Sequence, residues 1–149
     1  MRTFLFPSVA LAAAVLAFPV LPAWAGPDRV PPLTDALTRA ECGTCHMAFQ
    51  PALLPARSWE RMMDTLSDHF GDDASLPPDK VAHIRAVLVA GAGRDRRAPD
   101  ATPQRITEAR WFTHEHDFAP SRWQKPGVVT KSNCAACHRG AEQGVYDDD

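Results

Sequence analysis

A mainly α, single-domain fold of short helices and long loops is predicted by three observations. The pentapeptide Cys-x-x-Cys-His occurs twice, as Cys42–His46 and Cys134–His138, and uses every cysteine of the chain. Two segments, 58–70 and 78–90, repeat apolar residues at helical spacing. No strand-rich region appears, and 13 of the 14 prolines punctuate the remaining stretches.

The repeated pentapeptide is the attachment signature of c-type haem. Two thiols one helical turn apart reach the two vinyl groups on one porphyrin edge, and the adjacent histidine turns under the ring to give the iron an axial nitrogen. Cys42, Cys45, Cys134 and Cys137 are the predicted attachment residues of two covalent haem c groups, with His46 and His138 as proximal ligands. A zinc knuckle rarely sets His directly after the second Cys in both halves, and a dithiol oxidoreductase needs only one such motif. The fold class is then a small single-domain dihaem c-type cytochrome, its short helices and long loops wrapped round two haems that form much of the core.

Residues 1–25 read as a secretory signal: Arg2 makes the positive start, Phe4 to Leu21 the apolar centre, and Ala23-Trp24-Ala25 a small-x-small cleavage site. Pro7, Pro19 and Pro22 interrupt it, leaving too short an apolar run for a ~20-residue membrane span. Cleavage leaves residues 26–149 as one dihaem domain in the periplasm. Losing Arg2 leaves 15 basic against 18 acidic residues, a net −3, which argues against a nucleic-acid partner. Thiols in an oxidising compartment usually pair as disulfides; here the haems consume all four.

Along the mature chain, Pro27, Pro31 and Pro32 open an extended leader, and Thr34 with Asp35 reads as the cap of a short helix carrying Cys42 to His46. Met47 to Ala56, with Pro51 and Pro55, is a loop wrapping the first haem, with Phe49 on the ring. Ser58 reads as the next N-cap, and Trp59, Met62, Met63, Leu66 and Phe70 form an apolar stripe that stops at Gly71. A helix from Pro78 or Asp79 to Ala90 turns Val81, Ile84, Val87 and Leu88 inward and ends at Gly91. Gly91 to Pro103 is a loop holding Arg94, Arg96 and Arg97. From Ile106 to Phe118 the pattern fits either a short helix capped by Thr107 or extended chain. Ser132 or Asn133 caps the helix of the second pentapeptide.

Four histidines remain for two distal iron positions: His69, His83, His114 and His116. His69 borders the apolar stripe and can reach inward. His83 projects from the flank of its helix and reads as a surface residue. His114 and His116 point to nearly opposite sides in either conformation, so one of them ligates. Methionine is the rival ligand; Met47, Met62 and Met63 lie near the first motif, and the latter two fit core packing.

The run Cys42-Gly-Thr-Cys-His46-Met-Ala-Phe-Gln-Pro51, then Leu54-Pro55-Ala56 before Ser58-Trp59, then His69-Phe70-Gly71, Glu115-His116 and Asn133-Cys134 to His138, resembles the DHC-type dihaem cytochromes c. The likeness covers nearly all of the mature chain. It implies two six-coordinate, low-spin, bis-histidine irons, held by His46 with His69 and by His138 with His116. Such irons have no open position for oxygen or peroxide, which leaves one-electron transfer at the porphyrin edges and makes the protein a carrier, not an enzyme. The resemblance further implies a periplasmic shuttle between a membrane cytochrome b and a small oxygen-binding c-type cytochrome. The alternatives are the donor subunit of a periplasmic nitrate reductase, or a haem peroxidase or gas sensor with one open iron. The Arg94, Arg96 and Arg97 loop and the acidic set Asp64, Asp68, Asp72 and Asp73 are the candidate partner surfaces.

Overall fold

Asp35, not Thr34, opens the first helix. In the computed structural model, which describes residues 29–94 and 103–147, Asp35 Oδ1 accepts from the Thr38 backbone N–H and from the Thr38 hydroxyl, each at 2.7 Å. One carboxylate thereby satisfies a donor that the helix itself leaves orphaned. Helix α1 spans Ala36–Cys42. It stops because Gly43 takes the cap position, where its N–H bonds the Arg39 carbonyl and where a Cβ would collide with that same oxygen. The helix expected to carry Cys45 and His46 thus ends at the first cysteine, and the rest of the pentapeptide is turn and bend.

Helix α2, Ala56–Asp64, starts two residues before the expected cap Ser58. Pro55 takes that role: its ring fixes φ near −72° and its carbonyl accepts from the Ser58 N–H at 3.0 Å. Ser58 lies inside the first turn, fully buried, with no hydrogen-bond partner for its hydroxyl. The helix closes at Asp64, where the Thr65 hydroxyl donates back to the Arg61 carbonyl at 3.0 Å. Leu66–Asp68 follows as one 3₁₀ turn, and Phe70 takes a left-handed φ of 61°. The single helix expected to reach Phe70 is therefore broken. His69 sits instead in a tight turn closed by its own N–H to the Asp72 carbonyl at 2.7 Å.

Helix α3, Pro78–Ala90, follows its periodicity: Ile84 and Leu88 are buried, Val81 and Val87 are half-buried, and the Gly91 N–H caps the Val87 carbonyl. It packs on α2. Arg85 clasps the pair, bonding the Glu60 carbonyl at 3.0 Å and the Asp64 carboxylate at 2.6 Å.

The ambiguous stretch after Pro103 is helical. A 3₁₀ turn, Ile106–Glu108, leads into α4, Arg110–Glu115, and Thr107 caps neither. Helix α5 is Pro120–Trp123. The second pentapeptide forms a single 3₁₀ turn, Cys134–Ala136, and Asn133 donates to the Gly127 carbonyl at 3.0 Å instead of capping it.

One core joins both halves: Leu53, Leu54, Trp59, Met63, Ile84 and Leu88 meet Ile106, Ala109 and Phe112. Met62 packs against that cluster. The ends also meet, through Val30 N–H to the Gly144 carbonyl at 2.9 Å and a bridge of Arg29 with Val145. Among the described residues there are only isolated bridges, no strand, and no helix long and apolar enough to cross a membrane. The signal segment 1–25, Arg96, Arg97, Asp148 and Asp149 lie outside the described residues.

Candidate haem sites

The first pentapeptide and the His69 turn are brought face to face. Cys42 ends α1 half-buried, and burial pushes its thiol up; Cys45 and His46 are exposed on the turn beyond. The ring centroids of His46 and His69 lie 6.2 Å apart with planes 24° from parallel. Two imidazoles facing across one metal atom have centroids about 6 Å apart, from a metal–nitrogen bond of about 2 Å and half a ring on each side. His46 Nδ1 is 2.8 Å from the Met47 carbonyl. Desolvation, reinforced by His46 and Arg105, pushes the His69 imidazole down, toward the neutral form that a metal binds. Phe49 packs beside His46 at 5.0 Å, and the Arg105 guanidinium lies 4.0 Å over the Phe70 ring.

The second pentapeptide opens into a cavity of about 630 Å³ lined by Cys134, Cys137, His138, His116, Phe112 and Trp123. His116 and His138 have ring centroids 6.0 Å apart with planes 80° from parallel. The end of α4 aims His116: its Nδ1 lies 3.0 Å from the Phe112 carbonyl one turn back, and the Phe112 ring stacks on it at 4.0 Å and 8°. His138 Nδ1 is 3.0 Å from the Asp147 carbonyl, and Tyr146 meets its ring edge-on at 5.6 Å. In His46, His116 and His138 an Nδ1–H given to a carbonyl leaves the Nε2 lone pair for a metal and fixes the ring's direction. Burial pushes the Cys134 thiol up to about 11.

The other two histidines lie apart from these pairs. His83 Nε2 is 2.9 Å from Asp35 Oδ2, a hydrogen bond between two side chains at the surface, and His114 is exposed on α4. None of the four cysteines pairs with another as a disulfide. Among the described residues no three His, Cys, Asp or Glu side chains gather as a metal-ion site, so the zinc alternative lacks its ligands.

Three residues at these sites carried no sequence signal: Phe112, Gln50 and Tyr146. Phe112 lies in the stretch whose period was ambiguous. Gln50 is fully buried in the proline-rich loop, its carboxamide donating to the Ala141 carbonyl at 2.8 Å and the Glu142 carbonyl at 3.2 Å and accepting from the Tyr146 hydroxyl.

The family model for DHC, dihaem cytochrome c, matches residues 38–146. The chain belongs to the DHC dihaem cytochromes c. The crystal structure of DHC purified from Rhodobacter sphaeroides is 47% identical, with a TM-score of 0.68 over 76% of this chain and 98% of that chain. A diheme cytochrome c from Rhodobacter sphaeroides is 45% identical, TM-score 0.70, covering 78% and 99%. The diheme cytochrome type c of Shewanella baltica OS155 is 43% identical, TM-score 0.65, covering 75% and 86%. No match was found among the curated proteins. As a DHC the protein carries two covalently bound haem c groups, and electron transfer is the chemistry that membership implies.

The residues present fit those groups. The cavity at the second site falls within the ~300–1,000 Å³ that enclose ligands of cofactor size, and it is lined by the thiols of Cys134 and Cys137, the imidazoles of His116 and His138 and the rings of Phe112 and Trp123. At the first site His46, directly after Cys42 and Cys45 in the chain, lies between Phe49 and His69 in ring contact with both.

Proposed function

We propose that this protein is a periplasmic electron shuttle whose two irons are bis-histidine, six-coordinate and low-spin. The reading is carried by one observation: two histidine pairs, His46 with His69 at 6.2 Å and His116 with His138 at 6.0 Å, have the spacing of imidazoles on opposite sides of a single metal atom. Cys42 and Cys45 hold the first haem, and Cys134 and Cys137 the second. Haem iron cycles between ferric and ferrous and supplies one-electron transfer.

The protein's own residues do the rest. The carbonyls of Met47, Phe112 and Asp147 orient the rings of His46, His116 and His138 through Nδ1 and raise their basicity as ligands, which favours the ferric state. His46 with His69 and His116 with His138 would fill the ligand positions of each iron and leave no open site for a substrate molecule, which makes the protein a carrier and not an enzyme. Residues 1–25 direct export and are removed. The partners are a membrane cytochrome b as donor and a small oxygen-binding c-type cytochrome as acceptor.

The test is a pyridine haemochrome assay with the EPR spectrum of the oxidised protein. Two haems per chain and only low-spin signals are expected. One haem, or a high-spin signal from as-purified protein, refutes the reading.

A further inference from the structure

We propose that the mouth of the cavity at the second site is the face on which an acidic redox protein docks, centred on the loop from Lys125 to Lys131 that exposes Val129, with Arg122 just before it in the chain. The proposal rests on the electron-shuttle reading and adds the chemistry of the partner's surface. The cavity wall carries five cations, Arg29, Arg122, Lys125, Lys131 and Arg139, against one acid, Glu115. All five are exposed. One haem would bring two propionate charges; with Arg139 set aside as already engaged, Arg29, Arg122, Lys125 and Lys131 still outnumber Glu115 and those two charges in the lining. Arg122 lies 4.3 Å over the Phe118 ring and Lys131 5.2 Å over Trp123, contacts that position each cation without neutralising it.

Val129 supplies the apolar contact. It is 86% exposed, and at φ 59° it adopts a left-handed backbone that a β-branched residue rarely takes. The surrounding loop holds it there: the Val128 N–H bonds the Lys125 carbonyl at 3.2 Å, the Thr130 N–H the Val128 carbonyl at 2.6 Å, and Asn133 Nδ2 the Gly127 carbonyl at 3.0 Å. A conformation so over-determined points to use. A small apolar contact ringed by like charges suits a partner that is steered in quickly and released quickly. Three of the four acids expected to offer a rival surface are engaged locally: Asp64 with Arg85, Asp68 with the Gly71 N–H, and Asp73 with the Ser75 N–H.

The experiment follows reduction of the holoprotein by flavodoxin hydroquinone, an acidic one-electron donor, by stopped flow across ionic strength, with the potentials of both haems measured alongside. The Lys125→Glu/Lys131→Glu variant is expected to keep both haems and both potentials while its second-order rate at low salt falls on the order of tenfold or more, converging on wild type when salt screens the surface. Arg94→Glu serves as the control and keeps the wild-type rate. Val129→Gly, which tolerates the backbone, is expected to slow the reaction at high salt several-fold; an unchanged rate removes Val129 from the centre. Equal rates for wild type and the double variant at every salt concentration, or a wild-type rate that rises with salt, overturn the docking face. A shifted haem potential with an unchanged salt dependence assigns the lysines to the haem propionates and overturns it too. A wild-type protein that accepts no electron at any salt overturns the shuttle reading and this proposal with it.

Discussion

The Tyr146 hydroxyl donates to the carboxamide oxygen of Gln50, 96 positions earlier in the chain. Gln50 in turn donates to the carbonyls of Ala141 and Glu142, so the loop after the first pentapeptide is fastened to the segment after the second. Tyr146 also packs on His138. A buried carboxamide, fully satisfied, thus ties the two candidate haem sites to each other, and burial pushes the Tyr146 phenol up, keeping it a donor.

Gln50→Ala removes the donor to the Ala141 and Glu142 carbonyls, leaves the Tyr146 hydroxyl without its acceptor and opens a hole at a fully buried position, while the Ala141 carbonyl keeps the Gly144 N–H. A loss of about 2–4 kcal/mol is expected, measured as a shift in the guanidinium midpoint of the holoprotein. Tyr146→Phe removes one hydrogen bond and is expected to cost about 1–2 kcal/mol. The double variant should lose less than the sum, because the two groups are partners.

His69→Ala and His116→Ala are each expected to open one iron, giving a high-spin band and carbon monoxide binding at half the haems. His83→Ala and His114→Ala should leave the spectrum unchanged, since one is paired with Asp35 and the other faces solvent. A vacant iron in His114→Ala would refute the assignment at the second site.

Ser58→Ala separates two meanings of one residue. At a helix cap the change costs ~1 kcal/mol; here the hydroxyl is buried without a partner, so the variant is expected to be as stable as wild type or up to about 1 kcal/mol more stable. Thermal unfolding of the two holoproteins decides it.

Asp35 makes the amino-terminal helix acid-sensitive. The Thr38 hydroxyl, the Thr38 N–H and His83 hold its carboxyl down to about 2, against 3.8 in the absence of structure. A depressed carboxylate contributes stability that is fully present above the unfolded value and is lost as pH falls through the folded one. Wild type should therefore melt above Asp35→Ala at neutral pH, with the gap closing between about pH 4 and pH 2. A gap that persists at pH 2 would show that the carboxylate's charge is not what caps α1.

The sequence by itself determined the covalent chemistry and the family, because haem attachment requires thiols and histidine at a fixed local spacing and all four cysteines fall into that pattern. It also determined the bounds of α3, with Pro78 at its first position and Gly91 just past its end. Its errors lay at boundaries: Gly43 ends α1 before the pentapeptide is complete, Pro55 displaces Ser58 as the cap, and Thr65 breaks the stripe that reads through to Phe70. Each is a competition between local backbone geometry and side-chain periodicity, and periodicity alone cannot weigh it. Only the tertiary structure decided which histidine rings face each other, for a turn at His69 and a helix end at His116 aim side chains across the fold. The clasp of Gln50 with Tyr146 belongs there as well, since a hydrogen bond between two isolated residues at opposite ends of the domain leaves no period, cap or motif in the chain.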